Sequence, residues 1–296
     1  MTDIDEQVLK AFRNLNAEHE AQWVSLYIKS KVSGNLLKSQ KLLTNIVDDK
    51  KRGRPLAYIF GSWPFMNLDL QVGEGVLIPR PETEELCEFM VAQYLDYVGS
   101  LSVLDLGAGT GALGLGFCSV LREKNPKIKL ELVSVERSKD AFAYLKNNSK
   151  LCDFKVQLIN DDWCSLINTP MKGFDVLFGN PPYVSAFEWA DVDKSVKSFE
   201  PQTALVAEPL TKIQKNLAKD FSASEEDLEA FALGPFIENL EIAQLNLSSG
   251  SVFSVEIGPA QAEFLATRVK EYKNLSFEIE EDMSSKPRFV VGIKNG

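Results

Sequence analysis

The stretch Ser102-Val103-Leu104-Asp105-Leu106-Gly107-Ala108-Gly109-Thr110-Gly111 constrains the fold more than any other part of this chain. Its apolar start reads as a short buried strand, and a helical pattern from Leu113 to Leu121 follows at once. Between them, glycines at alternate positions let the backbone turn sharply and approach a ligand closely. The helix behind begins with unpaired N–H groups at the same place. The rest of the chain continues the alternation. Further strands are expected at Lys129 to Val135, Lys155 to Ile159, Phe174 to Phe178, Ser251 to Val255, 275–281 and 287–293. Helices are expected at Glu84 to Tyr97, Ala141 to Lys150 and Ile237 to Leu247. This order predicts an α/β, doubly wound, Rossmann-like sheet. Ligands of such sheets bind beyond the carboxyl ends of the strands, and Asp105, Glu136 and Asn180 all fall there.

Upstream the pattern differs. Residues 1–56 read as a small helical domain: Val8, Leu9, Phe12 and Leu15, then Trp23, Leu26 and Tyr27, recur at helical spacing. Leu36, Leu37, Leu42, Leu43 and Ile46 extend it. Residues 57–82 are expected to form a connecting β-hairpin. Phe65 to Val72 alternates, Gly73-Glu74-Gly75 turns and Val76-Leu77-Ile78 returns. Residues 83–296 make the main domain. Within it, the charged stretch 211–233 (Lys212, Lys215, Lys219, Glu225, Glu226, Asp227, Glu229) reads as an inserted surface helix or lid.

Composition narrows the class. Of 296 residues, 45% are apolar and 25% charged, which suits an ordinary globular chain. No apolar run reaches the ~20 residues of a membrane span. The acidic start Met1-Thr2-Asp3-Ile4-Asp5-Glu6 has no signal core, so a cytoplasmic protein is expected. Cys87, Cys118, Cys152 and Cys164 form no CxxC pair and read as buried thiols. His19 is the one histidine, in a polar helical stretch, so a Ser-His-Asp triad or a histidine metal site would have to be built on it alone; neither is expected, and no metal is expected. The net charge of −10 disfavours a partner held by its phosphates, so nucleic acid is not expected.

The glycines alone suit two cofactors. Gly107-x-Gly109-x-x-Ala112 fits a dinucleotide fingerprint, with Glu136 as the ribose acid. The same arrangement fits S-adenosylmethionine. Asp105 decides between them. Its carboxylate would oppose a pyrophosphate, yet it can hold the cationic amino end of S-adenosylmethionine. The expected cofactor set is therefore Asp105, Gly107, Ala108, Gly109, Thr110, Gly111 and Glu136.

The fourth strand is followed by Asn180-Pro181-Pro182-Tyr183. A planar NH₂ group is a poor nucleophile because its lone pair is delocalised, so it must be aimed. The Asn180 oxygen can accept one N–H of such a group and the Pro181 carbonyl the other. Pro181 and Pro182 stiffen that backbone, and Tyr183 can pack on the flat face of the substrate. The motif specifies a planar nitrogen, either an amide or the exocyclic amine of adenine. Asn180 stands next to the cofactor as well as the substrate.

Taken together, Pro55-Leu56-Ala57-Tyr58-Ile59-Phe60-Gly61, Val76-Leu77-Ile78-Pro79-Arg80-Pro81-Glu82-Thr83-Glu84, the glycine loop and Asn180-Pro181-Pro182-Tyr183 resemble the release-factor glutamine N5-methyltransferase family (HemK or PrmC type). Phe199-Glu200-Pro201-x-x-Ala204-Leu205 and Glu256-Ile257-Gly258-x-x-Gln261 extend the resemblance from about residue 55 to the end. It implies methyl transfer from S-adenosylmethionine, leaving S-adenosylhomocysteine, to the glutamine of the Gly-Gly-Gln loop in a class-1 peptide chain release factor. It implies that the helical domain contacts that partner. It also implies that Asp162 and Trp163 join the cofactor site and that Arg80, Pro81 and Glu84 lie near the substrate cleft. The chain departs from the family at Glu136, where aspartate is commoner, and at Ala207-Glu208-Pro209-Leu210, where a glycine-rich segment is usual. The alternatives are another protein glutamine, such as one in a ribosomal protein, N6-adenine methylation of nucleic acid, or a non-catalytic binding module.

Overall fold

The computed structural model describes residues 3–32, 35–221, 223–268 and 271–296. Met1 and Thr2 of the acidic start and Ser222 of the charged stretch lie outside the described residues. The chain divides into two compact units, Met1–Ser62 and Trp63–Gly296.

The first unit contains helices α1 (Asp3–Arg13), α2 (Ala21–Lys31), α3 (Leu36–Lys51) and α4 (Leu56–Phe60). Acids in the first turn of α1 and bases in its last match the helix dipole. The Asn35 side chain accepts from the Lys38 amide and caps α3. The buried face of α2 is Ala21, Val24 and Ile28, while Trp23 and Leu26 stay exposed. Of the expected stripe Trp23-Leu26-Tyr27, only Tyr27 is partly buried. Smaller and β-branched side chains permit closer helix packing than the large ones. Leu36 and Leu37 are likewise exposed, whereas Leu43 and Ile46 are buried. Tyr27 stacks on Phe60, with ring centroids 4.1 Å apart.

The hairpin is real, but it is not where the glycines suggest. Its strands are β1 (Ser62–Phe65) and β2 (Leu68–Gln71), and the turn is Met66-Asn67, with Met66 at φ 52°. Residues 76–78 form no strand. The Ile78 N–H donates to Glu200 Oε2, so it has no ladder to join. Gly73-Glu74-Gly75 does turn the chain, with the Val76 N–H donating to Gly73 O at 3.3 Å and Gly75 at φ 91°, but no strand pairs after it; a Cβ at Gly73 would also meet the Tyr144 hydroxyl and one at Gly75 would meet Asp140.

The remaining elements are α5 (Pro81–Tyr94), β3 (Ser100–Leu106), α6 (Ala112–Lys124), β4 (Lys129–Val135), α7 (Lys139–Asn148), β5 (Lys155–Ile159) and α8 (Ser165–Asn168). Then come β6 (Phe174–Gly179), α9 (Lys194–Phe199), α10 (Lys212–Asp220), α11 (Glu225–Ala230), α12 (Leu233–Asn246) and β7 (Leu247–Glu256). The chain ends with α13 (Pro259–Arg268), β8 (Glu271–Tyr272), β9 (Leu275–Glu281) and β10 (Pro287–Lys294). The sheet order is β5-β4-β3-β6-β7-β10-β9-β8. Strands β3 to β7 pair in parallel, and β8, β9 and β10 pair antiparallel. This is the doubly wound α/β sheet, with strand order reversing between β3 and β6.

Alternation along β3 shows how the sheet divides two cores. Leu101 and Val103 face a layer with α5 and α6, and Leu104 and Leu106 face a layer with α12. The stretch 211–233 forms α10, α11 and the approach to α12. Its charges face outward on α10 and α11, yet Ala218, Phe221 and Leu228 enter the second core. Phe221 meets the rings of Phe236, Phe264 and Tyr272. Phe221→Ala is expected to destabilise the protein by about 3–5 kcal/mol in denaturant unfolding. A change below about 1 kcal/mol would mean that Phe221 does not anchor this stretch to the core.

Candidate active site

At the reversal point, the loops after β3, β4, β5 and β6 line one cavity. Of the residues expected from sequence, it brings together Arg80, Asp105, Gly107, Ala108, Gly109, Thr110, Glu136, Asp162, Trp163, Asn180 and Pro182.

Asp105 is buried beneath the glycine loop. Its Oδ2 accepts the Gly114 N–H at 3.1 Å, satisfying one free amide in the first turn of α6. A Cβ at Gly114 would sit 2.7 Å from that oxygen, so the contact requires glycine. Burial pushes the Asp105 carboxyl up to about 7, against the pull of the Gly114 N–H and with a further push from Glu136.

Glu136 follows β4 and is also buried. Its Oε2 accepts from Gly109 N at 2.8 Å and its Oε1 from Ser138 N at 2.7 Å. The carboxylate thus holds the glycine loop in shape and keeps further lone pairs. Asn148 supports the loop from behind: its Nδ2 donates to Thr110 O at 2.8 Å and to Gln71 O at 3.1 Å, tying the loop to the hairpin.

Trp163 packs against Gly107, where a Cβ would lie 2.8 Å from the indole. Its Nε1 donates to Glu238 Oε2 at 2.9 Å, and burial raises the Glu238 carboxyl. The indole is thus both core and cavity wall. Asp162 Oδ1 accepts the Cys164 N–H at 2.8 Å, at the start of α8. Arg137 forks onto Glu208 through bonds of 3.0 and 2.9 Å.

Asn180 follows β6. Its Nδ2 donates to Glu256 Oε2 at 2.9 Å and approaches Thr83 Oγ1 at 3.4 Å. Thr83 Oγ1 donates to the same Glu256 oxygen at 2.8 Å. Arg80 Nη2 donates to Glu200 Oε1 at 2.7 Å, so this arginine is already paired. The backbone after the motif pairs with the 205–207 segment: Val184 N–H donates to Leu205 O at 2.9 Å, and Ala207 N–H to Val184 O at 3.1 Å.

Five expected residues lie outside the cavity lining. Pro81 is exposed at the first position of α5, where its lacking N–H does no harm. Glu84 accepts the Met66 N–H and so fastens the hairpin turn. Gly111 is the N-cap of α6. Pro181 is buried, and the Tyr183 ring packs over Gly258, 3.1 Å from where a Cβ would stand. Roles for Thr83, Glu200, Glu238 and Glu256 were not read from sequence. A signal existed for Glu256: an acid directly ending a parallel strand, as Glu136 follows one.

A parallel sheet reversed at a glycine loop, with Asn180-Pro181-Pro182-Tyr183 at the neighbouring strand end, has the build of a methyltransferase. The family model "Methyltransferase small domain" matches residues 87–225. The chain belongs to the release factor glutamine methyltransferase family. The protein of that name from Haemophilus influenzae is 30% identical over 84% of this chain and 79% of its own length. That from Lactococcus lactis is 33% identical over 67% of each chain. That from Pasteurella multocida is 36% identical over 56% of this chain and 57% of its own length. No helix among the described residues is long and apolar enough to cross a membrane.

Proposed function

We propose that this methyltransferase uses S-adenosylmethionine to methylate the side-chain amide nitrogen of the glutamine in the Gly-Gly-Gln loop of a class-1 peptide chain release factor, in the cytoplasm. The observation that carries the reading is the Asn180 carboxamide. Its nitrogen is engaged by Glu256 and Thr83, which leaves its oxygen as an acceptor for a substrate N–H.

The cavity lining suits the cofactor by charge. Asp105, Glu136 and Asp162 contribute carboxylates, while Arg80 and Arg137 are each engaged by a glutamate. That set favours a cation bearing hydroxyls and gives a pyrophosphate no spare positive partner. Asp105 would hold the ammonium end, Glu136 the ribose hydroxyls, and Asp162 with Trp163 the adenine. When bound, S-adenosylmethionine supplies an electrophilic methyl group. Asn180 Oδ1 and the Pro181 carbonyl each accept one N–H of the substrate amide and hold its plane. Positioning of this kind is the main source of rate.

Because burial holds the Asp105 carboxyl near neutrality, an arriving ammonium lowers its pKa and expels its proton. Calorimetry of cofactor binding at pH 7, repeated in buffers of different ionisation enthalpy, should register net proton release that falls with rising pH and gives way to uptake by about pH 9, where the free amine of the cofactor must itself regain a proton. No release at pH 7 would remove Asp105 from the cofactor contact. Exposed Trp23, Leu26, Leu36 and Leu37 on the helical unit suit contact with a protein partner. Radiolabelled methyl transfer to a purified release factor, with adenine-containing DNA and RNA in parallel, tests the substrate class. Label on the nucleic acid alone would move the reading to adenine.

A further inference from the structure

We infer that Glu256, acting with Thr83, is the positioning residue that decides which end of the Asn180 carboxamide faces the reacting nitrogen. The inference rests on the glutamine reading above.

A carboxamide has nearly the same shape with its oxygen and nitrogen exchanged. Turned the wrong way, Asn180 would present N–H groups to a substrate NH₂ and repel it. A neighbour that accepts and does not donate binds the nitrogen end and turns the oxygen to the substrate. Glu256 Oε2 is that neighbour, 2.9 Å from Asn180 Nδ2. Thr83 reinforces it. Its hydroxyl proton is committed to the same carboxylate oxygen at 2.8 Å, so Oγ1 also faces Asn180 as an acceptor, at 3.4 Å. A flipped Asn180 would set its oxygen against two acceptors.

The fold supplies the pairing. Strands β6 and β7 run parallel with Gly179 opposite Val255, which puts the next residues, Asn180 and Glu256, side by side at the strand ends. Glu256 is buried, so little water competes for its oxygens. Arg288 of β10 and Arg80, before α5, favour its charged form, while Glu82 of α5 opposes it. Tyr183 is the other titratable group close by, and burial raises it, with a further push from Glu256. An acid held in so costly a place for stability alone would be a poor solution, since an apolar or amide side chain of similar size does as well.

Protonation removes the discrimination. A neutral Glu256 carries an O–H that can donate to Asn180 Oδ1, and both orientations become tolerable. Burial holds this carboxyl at about 7, so kcat at saturating cofactor should rise as pH increases through that value and level off above it.

The test is the pH profile of kcat on a release factor for wild type, Glu256→Gln and Thr83→Val. Glu256→Gln imitates the protonated acid. It should turn over about 10- to 100-fold more slowly than wild type at high pH, at a rate that no longer varies across the limb. Its calorimetric affinity for S-adenosylmethionine should be unchanged. Thr83→Val keeps the shape and removes the hydroxyl that lowers the Glu256 pKa, so its limb should move to higher pH. Thr83→Ser should restore the wild-type profile. An acid limb retained by Glu256→Gln, or an unshifted limb in a folded Thr83→Val, overturns the inference. Wild type that methylates no glutamine fails the substrate reading itself, before any variant is compared.

Discussion

Asn180→Ala should lower kcat about 100- to 1,000-fold while cofactor affinity stays near that of wild type. The size follows from what the side chain does. Its oxygen is one of two acceptors that hold a planar, poorly nucleophilic nitrogen in line, and positioning is lost with it. The substitution also takes a donor from Glu256 and leaves Thr83 as the remaining side chain bonded to that oxygen. Some loss of stability is therefore expected, and single-turnover rates at saturating cofactor separate it from the loss of chemistry. Full single-turnover activity in Asn180→Ala would remove this residue from the reaction and with it the proposed role of Glu256.

The second large effect is on cofactor binding. Gly107 has φ 64°, and a Cβ there would lie 2.8 Å from the Trp163 ring. The indole cannot simply yield, because its Nε1 is bonded to buried Glu238. Gly107→Ala therefore carries both the backbone strain of a left-handed residue and a displaced cavity wall. Calorimetry should show S-adenosylmethionine affinity reduced about 10- to 100-fold. Gly250→Ala is the matched control. Its φ is 79°, yet nothing lies within 4 Å of the new methyl group, so it shares the backbone strain alone. Equal cofactor affinity in the two variants would mean that the Gly107–Trp163 contact does not shape the cofactor site.

Much of the sheet could be read from the chain. The runs around Leu104, Val133, Leu177 and Phe253 are short, apolar and followed by turns or acids, and buried parallel strands have that signature. The hairpin is legible only in part. Gly73-Glu74-Gly75 turns the chain, but the hairpin closes earlier, at Met66-Asn67, and the glycines also let the backbone pass Tyr144 and Asp140, a contact visible only in three dimensions. The stretch 211–233 is legible only in part: its charges mark surface helices, but the buried face of Ala218, Phe221 and Leu228 meets partners in α12, α13 and Tyr272 that no local pattern announces.

The candidate site divides the same way. The glycine loop, Glu136 and Asn180 were legible because their chemistry follows from residue type at a strand end. Glu84 was not, because its carboxylate turns to the Met66 amide. The triad of Thr83, Asn180 and Glu256 joins residues 97 and 76 positions apart, and no local pattern announces it. Strand register does: once β6 and β7 are paired, Glu256 falls beside Asn180.

The central claim is that Asn180 and its neighbours aim a glutamine amide at a methyl donor. Tandem mass spectrometry of a class-1 release factor incubated with this protein and S-adenosylmethionine tests it most directly. One methyl should appear on the side-chain nitrogen of the Gly-Gly-Gln glutamine and be absent when that glutamine is replaced. An unmodified loop, in a sample where the protein binds the cofactor and methylates some other acceptor, would contradict it.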